Sequence, residues 1–283
     1  MRSKKESLKY FLQKAKRGKW AIGQFNFSTS EQLKAIISAA EKAKAPVILG
    51  TSGGEVKFFG LKKAIILRNY YRKIFPYIYL NLDHGRDIAL IKKAIDMGYD
   101  CVHFDGGDLS LKQNIETAKK IVQYAHQRGV LVEGEIKSIK GSSETHKKKF
   151  KAKESFYEDI EKAKKFVQAT GVDSLAINIG NVHGTYKNKI RLNIDLLKKI
   201  NKELNVFLVL HGGSGTNDND IKKAIKNGVV KININTELRE VWKKSMLKHL
   251  KKQTIKPYKI LPFVIKDIQD KVEEKIKLSG TNC

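Results

Sequence analysis

Eight short apolar runs, separated by stretches of helical spacing, constrain this chain more than any other feature. The runs are Ala21–Phe27, Pro46–Thr51, Tyr77–Leu82, Cys101–Asp105, Val130–Ile136, Ser174–Ile179, Val206–Leu210 and Val230–Ile234. Short continuous apolar runs bounded by turn residues read as strands buried on both faces. Between them, apolar residues recur every three or four positions, as in Ile88, Ile91, Ala94 and Ile95, or Ile115, Ala118, Ile121, Val122 and Ala125. Strand and helix in alternation require parallel strands with helical crossovers. Eight such units in 283 residues predict one α/β domain over residues 1–283, a (β/α)8 (TIM) barrel. A doubly wound open sheet is the alternative, weakened because no Gly-rich dinucleotide fingerprint follows the first run. An extra N-terminal helix from about Lys5 to Arg17 is expected to cover the bottom of the barrel. A C-terminal helical extension ends with Ile265–Leu278. The connection after the fifth strand, Lys137 to about Tyr157, is long enough to suggest a functional lid.

Composition narrows the class. The formal net charge is +27, which raises the question of nucleic acid or a membrane surface. The lysines, however, are spread along the chain, and the one dense run, His146–Lys153, lacks the interleaved aromatics of a base-stacking platform. Nucleic-acid binding is therefore not the expected role, and a site that attracts anionic substrates suits the charge better. No run of 18 apolar residues exists, so no membrane span is expected. Residues Met1–Glu6 lead into an amphipathic stretch rather than an apolar signal core. The two cysteines, Cys101 and Cys283, suggest no disulfide framework, and a cytoplasmic location is the expectation.

In a barrel, chemistry collects at the C-terminal ends of the strands. Three of the seven histidines stand there in His-Gly pairs: His84-Gly85, His183-Gly184 and His211-Gly212. One such histidine alone reads more simply as a satisfied strand end. Three from separate strands supply what a catalytic zinc needs, three protein ligands and an open position. Asp83 adjoins His84, where one of the two can face a metal and the other a substrate. Supporting the histidine is its blander role. Glu133 and Glu135 share one face of their strand, and Glu135 or Asp105 offers an alternative carboxylate ligand. The segments Gly212–Gly215 and Asn233–Thr236 follow strands seven and eight, where barrels often bind phosphate.

These residues resemble the class II, metal-dependent fructose-bisphosphate aldolase family, including its tagatose-bisphosphate members. The motifs that carry the resemblance are Gly23-Gln-Phe-Asn26, Leu82-Asp-His-Gly85, Asn114 in its helix, Val132-Glu-Gly-Glu135, Gly180-Asn-Val-His-Gly184 with Tyr186-Lys187, Leu210-His-Gly-Gly-Ser-Gly215 and Lys231-Ile-Asn-Ile-Asn-Thr236. The resemblance implies a catalytic Zn2+ on His84, His183 and His211. It makes Glu135 a ligand for an alternative metal position and Asp105 a nearby metal-associated acid. Asp83 would exchange a proton with the oxygen of the aldehyde fragment, and Glu144 in the lid with the carbon of dihydroxyacetone phosphate. Asn26, Ser52, Gly184, Lys187, Gly212, Gly213, Ser214, Asn233, Asn235 and Thr236 would hold the phosphorylated sugar, with a monovalent cation (Na+ or K+) alongside. The family also implies a homo-oligomer, dimer or tetramer.

The implied reaction is reversible cleavage of fructose 1,6-bisphosphate to dihydroxyacetone phosphate and glyceraldehyde 3-phosphate. The alternatives are tagatose bisphosphate as substrate, or a non-catalytic metal- and phosphate-binding barrel. The chain departs from the family pattern at Asn81, where His is usual, at Gly107, where Ser is usual, and at Gly141-Ser-Ser-Glu144, where Gly-Gly-x-Glu is usual. The arginine that some members use for the distal phosphate has no counterpart near Pro262, and Lys147–Lys149 are the candidate substitutes. A metal-dependent hydrolase would show a His-x-His pair on the first strand, which here reads Gln24-Phe-Asn26. A Schiff-base aldolase would need a lysine in the barrel centre. Lys231 opens the eighth strand and is expected to lie away from that centre.

Overall fold

The computed structural model describes residues 7–251 and 254–281. Eight parallel strands close into a barrel: β1 (Ile22–Asn26), β2 (Val47–Ser52), β3 (Ile78–Gly85), β4 (Cys101–Asp105), β5 (Leu131–Glu135), β7 (Ser174–Ala176), β9 (Phe207–Leu210) and β10 (Val229–Ile234). Each of the eight apolar runs overlaps one barrel strand, and β2, β3 and β10 extend beyond theirs. Between β5 and β7 lies the short strand β6 (Gly141–Thr145), and between β7 and β9 the short strand β8 (His183–Thr185). These two pair in parallel as a separate ribbon above the barrel, with Gly141 opposite His183 and Thr145 opposite Thr185. The polar, largely exposed sequence Gly-Ser-Ser-Glu-Thr carries no strand signal, so the lid was expected as irregular chain.

The strand pleat sorts residues to opposite faces. On β3, Ile78, Leu80 and Leu82 point out and join the shell of helices, as do Val102 and Phe104 on β4. The alternate residues point inwards and change character from bottom to top. Tyr79, Asn81 and Asp83 climb β3, Cys101, His103 and Asp105 climb β4, and Leu131, Glu133 and Glu135 climb β5. Apolar residues thus close the bottom, while polar and ionisable ones face the mouth. Asn81 belongs to the middle of this interior, where it donates to the Gln24 side chain at 2.8 Å.

Helix α1 (Leu8–Gly18) plugs the bottom as the sequence predicts; the residues proposed to begin it, Lys5 and Glu6, lie outside the described residues. Its Leu8, Phe11, Leu12 and Ala15 pack with Trp20 against Ile22, Ile48, Tyr79, Cys101 and Val230. Ser7 caps the helix by accepting from the Tyr10 amide. The C-terminal extension is α10 (Thr236–His249) followed by α11 (Pro257–Leu278), which is longer than the sequence pattern indicated. Val264, Ile268, Val272 and Ile276 of α11 enter the main core, and Thr281 ties the end to the start of β1 by donating to the Ala21 carbonyl. Among the described residues, no helix is long and apolar enough to cross a membrane.

Candidate active site

A cavity of about 240 Å3 opens at the C-terminal ends of the strands. Its wall contains Asn26, Ser52, Asp83, His84, His183, Gly184, His211, Gly212, Ser214, Asn233, Asn235 and Thr236, all expected from sequence. A larger cavity, about 560 Å3, lies at the opposite end beside α1 and contains none of the His-Gly histidines. Chemistry rather than volume identifies the site.

His84 is the hub of the histidine cluster. Its Nε2 lies 3.2 Å from His183 Nε2 and 3.2 Å from His211 Nδ1. Nitrogens bound tetrahedrally to zinc at about 2.0–2.1 Å stand about 3.3 Å apart, so both spacings match ligands of one ion. The third pair is wider: the His183 and His211 ring centroids are 5.8 Å apart, against 4.8 Å for each ring to His84. The remaining nitrogens are engaged. His84 Nδ1 faces Asp105 Oδ2 at 3.2 Å, and His211 Nε2 faces Glu133 Oε1 at 2.7 Å. Such partners orient a metal-binding imidazole and fix its tautomer. Burial holds His183 well below the usual histidine range and also lowers His211, despite Glu133 beside it. Both therefore present neutral, ligand-competent rings. Burial opposes charge on His84 too, but Asp83 and Asp105 outweigh it and raise its pKa.

His84 also takes φ +50°, a backbone conformation rare outside glycine. Its place at the end of β3 marks it as a strained functional position.

The donor set fits a divalent cation. The ligating atoms of Asp83, His84, His103 and His211 lie within 4.8 Å of one another, as do those of His84, Asp105 and Glu135. His183 joins them through its close approach to His84. The carboxylates of Asp83, Asp105, Glu133 and Glu135 are buried here, while the fixed cations paired with them are Lys231 and Arg86. So many buried carboxylate oxygens beside imidazole nitrogens make a donor set that suits a divalent ion. Two buried atoms in the same place, His103 Nε2 and Glu135 Oε2, lie 3.2 Å apart but in poor hydrogen-bond alignment.

Asp83 is held between two amides. Asn26 Nδ2 donates to one of its oxygens at 2.9 Å and Asn233 Nδ2 to the other at 3.0 Å. Burial alone would raise its pKa, but the His84, His103 and His211 rings hold it well below the usual carboxylate range. Asp83 is thus an ionised, immobilised proton acceptor facing the cavity.

Five expected residues lie off this wall. Glu135 is buried beneath the histidines, where it accepts from the Ile139 amide at 2.9 Å. Asp105 lines a neighbouring cleft with His84, His183 and Arg86. Gly213 is buried behind the wall, its amide donating to the Asn233 carbonyl at 3.0 Å. Lys187 is exposed on the chain after β8, where its amide donates to the Lys148 carbonyl. Glu144 sits exposed on β6, and its neighbour Ser143 lines the cavity instead, as the alternation of a strand dictates.

The structure adds residues that the sequence reading missed. Arg239, on the first turn of α10, is the one lysine or arginine on the cavity wall among the described residues. Its guanidinium donates to Glu55 at 2.8 Å and to the Ser143 carbonyl at 3.2 Å. The exposed Lys147–Lys149 do not line the cavity. Glu55 completes the capping box of α3 (Gly53–Phe59) with Ser52 and also accepts from Asn26 at 3.0 Å. His103, fully buried, accepts the His84 amide at Nδ1. Burial opposes charge on His103, but Glu133, Asp83 and Glu135 pull its pKa up to about 10. Those carboxylates favour a charged ring, whereas the His84 amide needs a lone pair at Nδ1; the hydrogen-bond geometry sets the neutral ring, with its proton on Nε2 towards Glu135. Period-two spacing from Asp105 was the available signal for His103.

Lys231 corrects one expectation. It lies inside the barrel, 2% exposed, in an ion pair with Glu133. Burial would lower its pKa, but Glu133 raises it, and a protonated amine is no Schiff-base nucleophile.

The lid is clamped from two sides. Thr145 of β6 and Thr185 of β8 both donate to the Glu240 carboxylate on α10. Gly184 makes the close packing possible. At φ +96°, a Cβ there would lie 2.5 Å from the Ser142 carbonyl oxygen and 2.6 Å from that of Glu144.

Comparison with known proteins agrees with this geometry. The family profile described as class II fructose-bisphosphate aldolase matches residues 6–282. A 6-phospho-5-dehydro-2-deoxy-D-gluconate aldolase of Shouchella clausii is 36% identical over 94% of this chain and 91% of its own length. A fructose-bisphosphate aldolase of Staphylococcus aureus is 35% identical over 98% of this chain and 97% of its own. Among solved structures, the YdjI aldolase of Escherichia coli K12 superposes with TM-score 0.83 at 30% identity, covering 97% of each chain. A structure titled as a fructose-1,6-biphosphate aldolase of Coccidioides immitis superposes with TM-score 0.85 at 25% identity, covering 98% of this chain and 97% of that one.

Proposed function

The chain belongs to the class II fructose-bisphosphate aldolase family, and from that premise we propose that it cleaves fructose 1,6-bisphosphate reversibly with a zinc ion on His84, His183 and His211. The observation that carries the reading is the histidine cluster beside an ionised Asp83 in one cavity. A divalent ion held there would supply Lewis-acid polarisation of the substrate oxygens. The rest falls to the protein's own groups. Cleavage of the C3–C4 bond of a ketose requires the C4 hydroxyl to lose its proton. Asp83, ionised and fixed by Asn26 and Asn233, accepts that proton and returns it in the condensation direction.

The α10 side of the cavity suits anions. The N-terminus of α10 opens onto it through Asn235 and Thr236, and the N-cap Asn235 makes no side-chain capping bond. The positive end of a helix dipole favours phosphate, and Ser214, which accepts the Asn235 and Glu237 amides, lies on the same wall. Arg239 offers a second anion partner.

A second reading follows from the S. clausii relative, whose named substrate carries a phosphate at one end and a carboxylate at the other. Arg239 suits either distal anion, and tagatose 1,6-bisphosphate differs from fructose 1,6-bisphosphate only in stereochemistry at one carbon. Steady-state cleavage of all three substrates decides between them. The proposal expects the highest kcat/KM with fructose 1,6-bisphosphate, and a raised KM for it in Arg239→Met. A higher kcat/KM with either of the others would overturn the substrate assignment.

A further inference from the structure

Beneath the histidines lies a charged pair that the reaction itself does not use. Glu133 on β5 and Lys231 on β10 are 0% and 2% exposed, and Lys231 Nζ lies 2.5 Å from Glu133 Oε2. The other carboxylate oxygen, Oε1, stands 2.7 Å from His211 Nε2. A lysine, a glutamate and a histidine therefore run in series from the barrel interior to the mouth. We propose that Lys231 is a positioning residue for His211, acting through Glu133 to set the nitrogen and the ring orientation that His211 presents to a metal ion. The proposal rests on the metal-centre reading above.

The chemistry of the imidazole carries the inference. A neutral ring has one proton and one lone pair. With Nε2–H donating to Glu133, the lone pair stands on Nδ1, the atom 3.2 Å from His84 Nε2. Reversing the tautomer would set a lone pair against a carboxylate and turn the proton towards the ligand cluster. Glu133 maintains this arrangement only while it is ionised and fixed in rotation. An isolated carboxylate in a dry interior is strongly disfavoured, so it needs a charged partner. Lys231 is that partner, and by engaging Oε2 it leaves Oε1 for the imidazole.

The neighbouring inward residue on β10 extends the same logic. Asn233, two positions after Lys231, donates to Asp83 at 3.0 Å and approaches both His211 nitrogens at 3.3–3.4 Å. One strand thus sets both a metal ligand and the proton acceptor. A simple stabilising ion pair would not need its second oxygen directed at a ligand histidine.

Zinc affinity separates the two roles. Zinc dissociation constants are measured by chelator competition on the full chain and on K231M, E133Q, K231M/E133Q and H211A, with visible spectra of the cobalt-substituted proteins. Partners of this kind typically change metal affinity about 10–100-fold. Lys231→Met and Glu133→Gln are each expected to weaken zinc by about that factor and to alter the cobalt spectrum. The double variant, which leaves no unpaired buried charge, should bind zinc within about twofold of E133Q, because Lys231 acts only through Glu133. A folded K231M with the wild-type zinc affinity and cobalt spectrum would overturn the proposal. If K231M fails to fold, E133Q and the double variant decide. Wild-type affinity in E133Q, or a further large loss in the double variant, overturns it equally. Zinc retained at full affinity by H211A, or no stoichiometric zinc in the wild type, refutes the metal centre and the relay together. Loss in H211A with an unchanged K231M refutes the relay alone.

Discussion

Replacing Glu158 with Gln should stabilise this protein at alkaline pH and leave it nearly unchanged at acid pH. Glu158 sits where the lid rejoins the barrel, 6% exposed. Its side chain accepts the Asn178 amide at 3.0 Å, and its own amide donates to the Asn178 carbonyl at 2.8 Å. Burial is the main cause that lifts its pKa from 4.5 to about 7, with Glu135 adding repulsion and the Asn178 amide and Lys137 opposing. The folded protein thus prefers the neutral acid, and the unfolded chain titrates lower. Stability from this group is complete below about pH 4.5, declines as pH rises towards 7, and is constant above that. At about 1.4 kcal/mol per pKa unit, the gap amounts to about 3 kcal/mol above pH 7. Glutamine keeps an acceptor for the Asn178 amide and removes the titration. Urea unfolding of both proteins across pH 4 to 8 provides the test. The advantage of Glu158→Gln should grow from under about 1 kcal/mol at pH 5 to about 3 kcal/mol at pH 8. A difference that stays constant with pH would refute the reasoning, since a packing effect carries no proton.

Three further variants probe other links of the account. Asp83→Asn keeps one of the two amide contacts and removes the proton acceptor; kcat should fall about 10^2–10^4-fold with zinc content unchanged, and near-wild-type turnover would exclude the role. Gly184→Ala places a Cβ 2.5 Å from the Ser142 carbonyl oxygen at a positive φ, so β6 must shift; faster proteolysis within the lid and a raised KM are expected, and unchanged values of both would contradict the packing. Phe11→Ala opens a hole where α1 plugs the barrel; denaturation should show a loss of about 3–5 kcal/mol with kcat preserved in the folded fraction, and a loss under about 1 kcal/mol would mean that α1 is dispensable.

The fold was legible because its strands are buried on both faces, so each stands out as an apolar run. Among the histidines, 84, 183 and 211 were legible by their position before a glycine at strand ends. His103 was not, because it lies within a strand between apolar neighbours and shows only as the inward residue between Cys101 and Asp105. The ribbon of β6 and β8 was illegible for a different reason. Its polar strands are held by each other, by Glu240 and by the space that Gly184 leaves, none of which is local in sequence. That ribbon also decides the lid side chains, turning Ser143 to the cavity and leaving Glu144 exposed. Arg239 was missed because a cation for the distal phosphate was sought near Pro262 and in the lysine run, whereas the arginine on the cavity wall lies one helical turn beyond Thr236. Lys231 looked peripheral as the opening residue of a strand, yet the staggered start of β10 carries it into the interior.

The most direct test of the central claim is cleavage of fructose 1,6-bisphosphate, followed by triose-phosphate detection, before chelation, after it, and after zinc is restored. A metal-dependent aldolase centred on His84, His183 and His211 should lose activity on chelation and regain it with zinc. Cleavage that persists in protein verified to be metal-free would contradict the account.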